Sequence, residues 1–189
     1  MKPDKKVPLF LYALISAGFY ITAFNYAEYF WILSLFSISL LFFICEKLKS
    51  LKEAFWYGLL FGTTTFAGIL IWFWKTFPLD WVGIDNVALS LILIFVFWIV
   101  ASVTLGLFFG VWLALYKKYS STNNYNFLLA PTLWVICEFA RALFFSIVVL
   151  GQESVIAPFW TFGFLGYSLS WSTLFIFFAS LHVVYLLSF

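Results

Sequence analysis

From Val87 to Tyr116 the chain carries no charged side chain, and an apolar stretch of that length has few structures open to it. A helix rises about 1.5 Å per residue, so roughly 20 apolar residues cross a hydrocarbon core about 30 Å thick. Apolar runs over 8–24, 27–45, 55–74, 127–150 and 172–189 repeat the pattern. Inside lipid every backbone N–H and C=O must find a partner within the protein, which leaves helices and closed barrels. Barrel strands alternate lipid-facing and lumen-facing residues, whereas these runs are continuous. The expected fold is therefore all-α: a polytopic membrane helix bundle of about six transmembrane helices, forming one transmembrane domain over 1–189. Composition agrees, because 65% of the residues are hydrophobic and 10% charged, against about a quarter charged in a soluble domain. The 10 Trp and 10 Tyr suit the headgroup level, where a ring is half dry and half wet.

The polar residues gather in the breaks, at 46–53, 75–86, 117–126 and 151–171. Lys2, Lys5 and Lys6 precede the first run, Lys47, Lys49 and Lys52 follow the second, and Lys117 and Lys118 follow the fourth. Cytoplasmic loops retain Lys and Arg, so the N-terminus is expected in the cytoplasm and the first run is read as an uncleaved span rather than a secretory leader. The 151–171 segment then faces outward. Pro158, Trp160, Phe162, Phe164 and Tyr167 make it too apolar for a solvated loop, while Gly163 and Gly166 argue against a clean spanning helix. It is expected to lie in the outer interface or to dip partway in.

A net charge of +2 without a basic stripe gives nucleic acid no footing. Cys45 and Cys137 sit in separate apolar runs with no CxxC spacing, so neither a disulfide nor a metal is expected. No H-E-x-x-H, G-x-S-x-G or phosphate-cradling loop occurs, and no cofactor is expected.

Glu138 and Arg141 stand near the middle of the fifth run. A charge at that depth costs several kcal/mol, about 3 on insertion scales, unless it faces protein, water or a ligand. Their spacing of three puts both on one helical face. Two readings stand open: a structural ion pair, or an anchor for an anionic headgroup or acyl ester. Gly58-x-x-x-Gly62, extended by Ala67 and Gly68, marks a face for close helix approach. His182 reads as a packed or interfacial histidine, and Glu28 and Glu153 as solvated edge residues.

The ordered set of motifs resembles the membrane domain of the apolipoprotein N-acyltransferases, bacterial enzymes that move an acyl chain from a phospholipid to the N-terminal cysteine of lipoproteins. The likeness runs through Ala23-Phe24 and Trp31, then Gly58-x-x-x-Gly62 with Trp72, and above all Pro131-x-Leu-Trp134-x-x-x-Glu138-Phe-x-Arg141. It continues through Trp160, Gly166-Tyr167-Ser168 and Tyr185-x-Leu187-Ser188-Phe189. The resemblance implies a multi-pass protein of the bacterial cytoplasmic (inner) membrane, with membrane phospholipid, a lipoprotein substrate and a nitrilase-like catalytic domain as partners. In the family that domain follows the membrane helices and supplies the Glu, Lys and Cys of a covalent thioester mechanism. Those side chains are not in this chain, which is expected to be truncated or to work with a separate catalytic domain. No catalytic residue is therefore named. The resemblance makes Glu138, Arg141, Trp134, Trp160 and Tyr167 the candidates for contacting lipid. A lipid-handling or transport protein built on the Glu138/Arg141 pair, and a purely structural subunit, are the rival readings.

Overall fold

The computed structural model describes residues 8–120, 126–148, 161–173 and 175–177, and every regular element among them is helical. Helix α1 (Leu9–Asn25) starts after Pro8, whose extended backbone sets the first turn. Its buried stripe is Ala13, Ser16, Ala17, Tyr20 and Ala23, a three-and-four spacing of small residues with one large ring.

The run at 27–45, expected as one helix, is divided. A four-residue helix α2 (Ala27–Phe30) leads into a turn at 31–32 before α3 (Leu33–Lys47). Ser34 explains the break: both its backbone N–H and its hydroxyl bond Trp31 O, at 3.1 and 2.6 Å, an i→i+3 pattern that tightens the chain there. α1 and α3 are then tied by a reciprocal serine pair. Ser16 Oγ donates to Ser37 O at 2.8 Å, and Ser37 Oγ donates to Ser16 O at 2.7 Å.

Helix α4 (Leu51–Ile69) begins earlier than the apolar run does, because Ser50 caps it. Glu53 N donates to Ser50 Oγ at 3.1 Å, and the Glu53 carboxylate accepts from Lys49 N at 2.7 Å, a variant of the capping box. The helix tightens into 3₁₀ turns over Leu70–Thr76, just past Ala67, whose carbonyl accepts from Trp98 Nε1 at 3.0 Å. Helix α5 (Val87–Ser120) opens on Asn86, whose Oδ1 accepts from Leu89 N at 3.0 Å. It closes on Lys117 and Lys118, favourable company for the negative end of the helix dipole. Helix α6 (Asn126–Val148) and the short α7 (Leu165–Leu169) complete the described elements. The helix expected over 172–189 and the first half of the 151–171 segment lie largely outside the described residues.

Among the described residues two helical stretches, Leu51–Thr76 with 26 residues and Val87–Ser120 with 34, are long and apolar enough to cross a membrane. They form the most intimate pair in the bundle. Gly58 and Gly62 of α4 oppose Gly106 and Gly110 of α5, so two G-x-x-x-G faces meet: a Cβ on Gly62 would lie 2.8 Å from Gly106 Cα, and one on Gly106 would lie 2.5 Å from Thr63 N. On its other side α5 exposes Ile92, Phe95, Val96, Phe97, Val100, Val103, Leu107 and Val111. Such an apolar surface suits lipid and no aqueous exterior. The centre is an aromatic cluster in which Trp134 of α6 meets Trp112 and Phe109 of α5 edge-on, with ring centroids at 4.9 and 5.1 Å.

Candidate functional site

The two charged side chains of α6 point into the bundle, with Glu138 3% and Arg141 2% exposed. The face they share meets the turn that leads into α7. Leu165 N donates to Glu138 Oε1 at 2.8 Å, and Arg141 Nη1 donates to Phe162 O at 2.9 Å. Tyr20 of α1 closes the arrangement from another side, its hydroxyl donating to Gly163 O at 3.0 Å. The guanidinium carbon lies 4.7 Å from the Phe66 ring centroid and 5.0 Å from that of Phe164, so its charge faces two aromatic quadrupoles. Three helices thus converge on one non-helical turn.

Local sequence explains why the chain turns there. Gly163 takes φ +76°, a conformation that costs other residues roughly 1–2 kcal/mol, and a Cβ on it would stand 2.8 Å from the Phe66 ring. Phe164 is extended, and α7 follows at once. Such a turn presents backbone groups without helical partners. Within an apolar bundle each would cost about 1–3 kcal/mol if unmet, and Glu138, Arg141 and Tyr20 meet them.

Trp134, one helical turn before Glu138, is 3% exposed. A pocket between α5 and α6 is bounded by Trp134, Cys137, Glu138 and Arg141 on one side and by Phe108, Phe109 and Trp112 on the other. Phe108 also borders an apolar groove with Thr104, Leu107, Val111 and Phe144. Tyr167 stands apart from the buried pair: it is 39% exposed and its hydroxyl lies 2.5 Å from Thr161 Oγ1. Trp160, His182 and Glu153 lie outside the described residues.

The structure therefore joins Trp134, Glu138 and Arg141 in one place and leaves Tyr167 at the surface of the same turn. Both cysteines are free; Cys45 is buried near the end of α3, and Cys137 lines the pocket. Among the described residues no group of His, Cys, Asp and Glu could hold a metal ion. The arrangement holds backbone in place. The sequence reading missed Tyr20, Phe66 and Phe164 as members of this cluster, because they are distant in the chain and carry no motif. Gly106-x-x-x-Gly110 was visible as spacing and was overlooked beside the motif in α4.

The family model for the apolipoprotein N-acyltransferase N-terminal domain matches residues 16–189. No curated protein and no solved structure matches the chain.

Proposed function

The chain belongs to the apolipoprotein N-acyltransferase N-terminal domain family, and from that premise we propose that it is the multi-pass inner-membrane part of a lipoprotein N-acylation system. In this reading it gives membrane phospholipid access to a nitrilase-like catalytic domain, docks that domain, and transfers no acyl group by itself. The observation that carries the reading is the buried clamp of Glu138, Arg141 and Tyr20 on the 162–165 turn. A turn held that firmly presents Tyr167 at the surface in one orientation, which is what a docking or lipid-guiding element requires. Tyr167, exposed at the start of α7, and Trp160 contact lipid in this proposal, while Trp134, Glu138 and Arg141 are buried and support the turn before Tyr167.

The N-terminus is cytoplasmic in this proposal, with about six spans in the chain. Lys117 Nζ donates to Cys45 O at 2.9 Å; this bond supports the orientation, since it brings together two helix ends that carry Lys47 and Lys118. A transporter using Glu138 and Arg141 as a midplane site receives less support, because both side chains bond the turn.

The test is complementation in bacteria depleted of their own N-acyltransferase. The 189-residue chain is expressed alone and together with a nitrilase-like domain of the family, and N-acylated lipoprotein is measured by mass spectrometry. N-acylation is expected only when both are present. Acylation by the chain alone, or failure of the two parts to co-purify and restore acylation, would overturn the reading.

A further inference from the structure

In a water-excluding bundle a buried indole N–H needs an acceptor from the protein or from trapped water: it can only donate, and lipid offers no acceptor. Trp134 Nε1 is such an atom. It is fully buried and has no hydrogen-bond partner among the described residues, whereas Trp112 Nε1 donates to Ala130 O at 3.2 Å and Trp98 Nε1 to Ala67 O at 3.0 Å. Trp134 is also a wall of the pocket between α5 and α6.

That pocket has the dimensions and the chemistry of a hydration site. Its water-sized space is about 10 Å³, close to the least that admits one water molecule, and far too small for a headgroup or an acyl chain. Its polar wall comes from one face of α6, since Trp134 and Glu138 are four residues apart and neighbours on the helix surface. A carboxylate has about four lone-pair directions, so Glu138 can serve Leu165 N and accept further bonds. Cys137 and Arg141 complete the α6 side of the pocket, and Phe108, Phe109 and Trp112 close it from α5 with aromatic surface.

We propose that this pocket holds one structural water, which accepts the Nε1–H bond of Trp134 and donates to the Glu138 carboxylate. The water ties the aromatic centre of the bundle to the carboxylate that holds the start of α7. The inference stands whether or not the chain serves lipoprotein acylation.

X-ray radiolysis of the wild-type 189-residue chain in lipid nanodiscs tests it, because hydroxyl radicals form at bound waters and mark the side chains beside them. Oxidation of Trp134 is expected to exceed that of Tyr20 and Phe61, which are as deeply buried and do not line the pocket. Oxidation of Trp134 at the level of those two rings overturns the proposal. A second measurement is the ultraviolet resonance Raman difference spectrum between wild type and Trp134→Phe. The indole N–H marker is expected at its hydrogen-bonded position, and a marker at the free position overturns the proposal independently.

Discussion

Placing one methyl group at Gly62 and, separately, at Gly18 tests the α4–α5 seam with a control built into the same molecule. Both glycines lie inside helices, so each change to alanine gains about 1 kcal/mol of helix propensity, and that gain cancels when the two variants are compared. At Gly18 the new Cβ meets none of the described residues within 4 Å. At Gly62 it would stand 2.8 Å from both Cα and O of Gly106 and 2.9 Å from Phe109 Cβ, whereas carbon contacts settle at about 3.5–4.0 Å. Two of these three atoms are α5 backbone, so no side-chain rotation relieves the clash. The helices must separate by roughly 0.7–1.2 Å, which also pulls Gly106 from Thr63 and Gly110 from Phe55. Overpacking costs about 1–3 kcal/mol, and an immovable partner belongs at the upper end. Gly62→Ala is therefore expected to be about 3 kcal/mol less stable than Gly18→Ala, which itself should equal or exceed the wild type. Reversible unfolding in mixed micelles, followed by circular dichroism, gives the difference directly. Equal stabilities, or a larger loss at Gly18, would refute the reciprocal glycine seam.

The remaining predictions concern the clamp and the serine pair. Tyr20→Phe removes the donor to Gly163 O and should cost about 1–3 kcal/mol by leaving a buried carbonyl unmet, read in the same unfolding assay. Arg141→Lys keeps the charge but loses the planar group lying over Phe66 and Phe164; a loss of about 2 kcal/mol is expected, and wild-type stability in that variant would count against the stacking. Ser16→Ala and Ser37→Ala should be coupled in a double-mutant cycle by about 0.6–1.7 kcal/mol, the range for hydrogen bonds between membrane helices; strict additivity would contradict the reciprocal pair. Gly163→Ala should destabilise by more than about 1 kcal/mol, since the positive φ and the Phe66 ring oppose it together.

Hydrophobic run length made the helical class legible, because lipid removes the alternatives before any packing detail matters. Helix ends were less legible. The apolar run begins at Phe55, but the helix begins at Leu51, since Ser50-x-x-Glu53 caps it through polar residues that a hydropathy reading discards. The turn at 31–32 was invisible for the opposite reason: Trp31 and Ile32 are as apolar as a spanning helix, and the hydroxyl of Ser34 decides the local pattern. At the site, spacing placed Glu138 and Arg141 on one face, while what that face touches was beyond reach. The groups they bond are backbone atoms of Phe162 and Leu165, and backbone atoms leave no signature in side-chain chemistry.

The same bonds explain why a chain so poor in charge keeps two charges at the centre of its bundle. A turn such as 162–165 leaves backbone groups without helical or sheet partners, and inside an apolar bundle it is tolerated only where other protein groups supply those partners. Apolar side chains cannot do so. A carboxylate that accepts from Leu165 N, a guanidinium that donates to Phe162 O and a phenol that donates to Gly163 O match the turn donor for acceptor. Replacing Glu138 and Arg141 together by apolar residues of similar volume would remove a buried charge pair, a change often neutral or stabilising in itself. Here it should still cost about 2–6 kcal/mol, since each of the two turn groups loses its partner. Unfolding of a Glu138→Leu, Arg141→Met variant separates the cases: unchanged stability would mean that the charges serve each other, and a loss of that size would mean that they serve the turn.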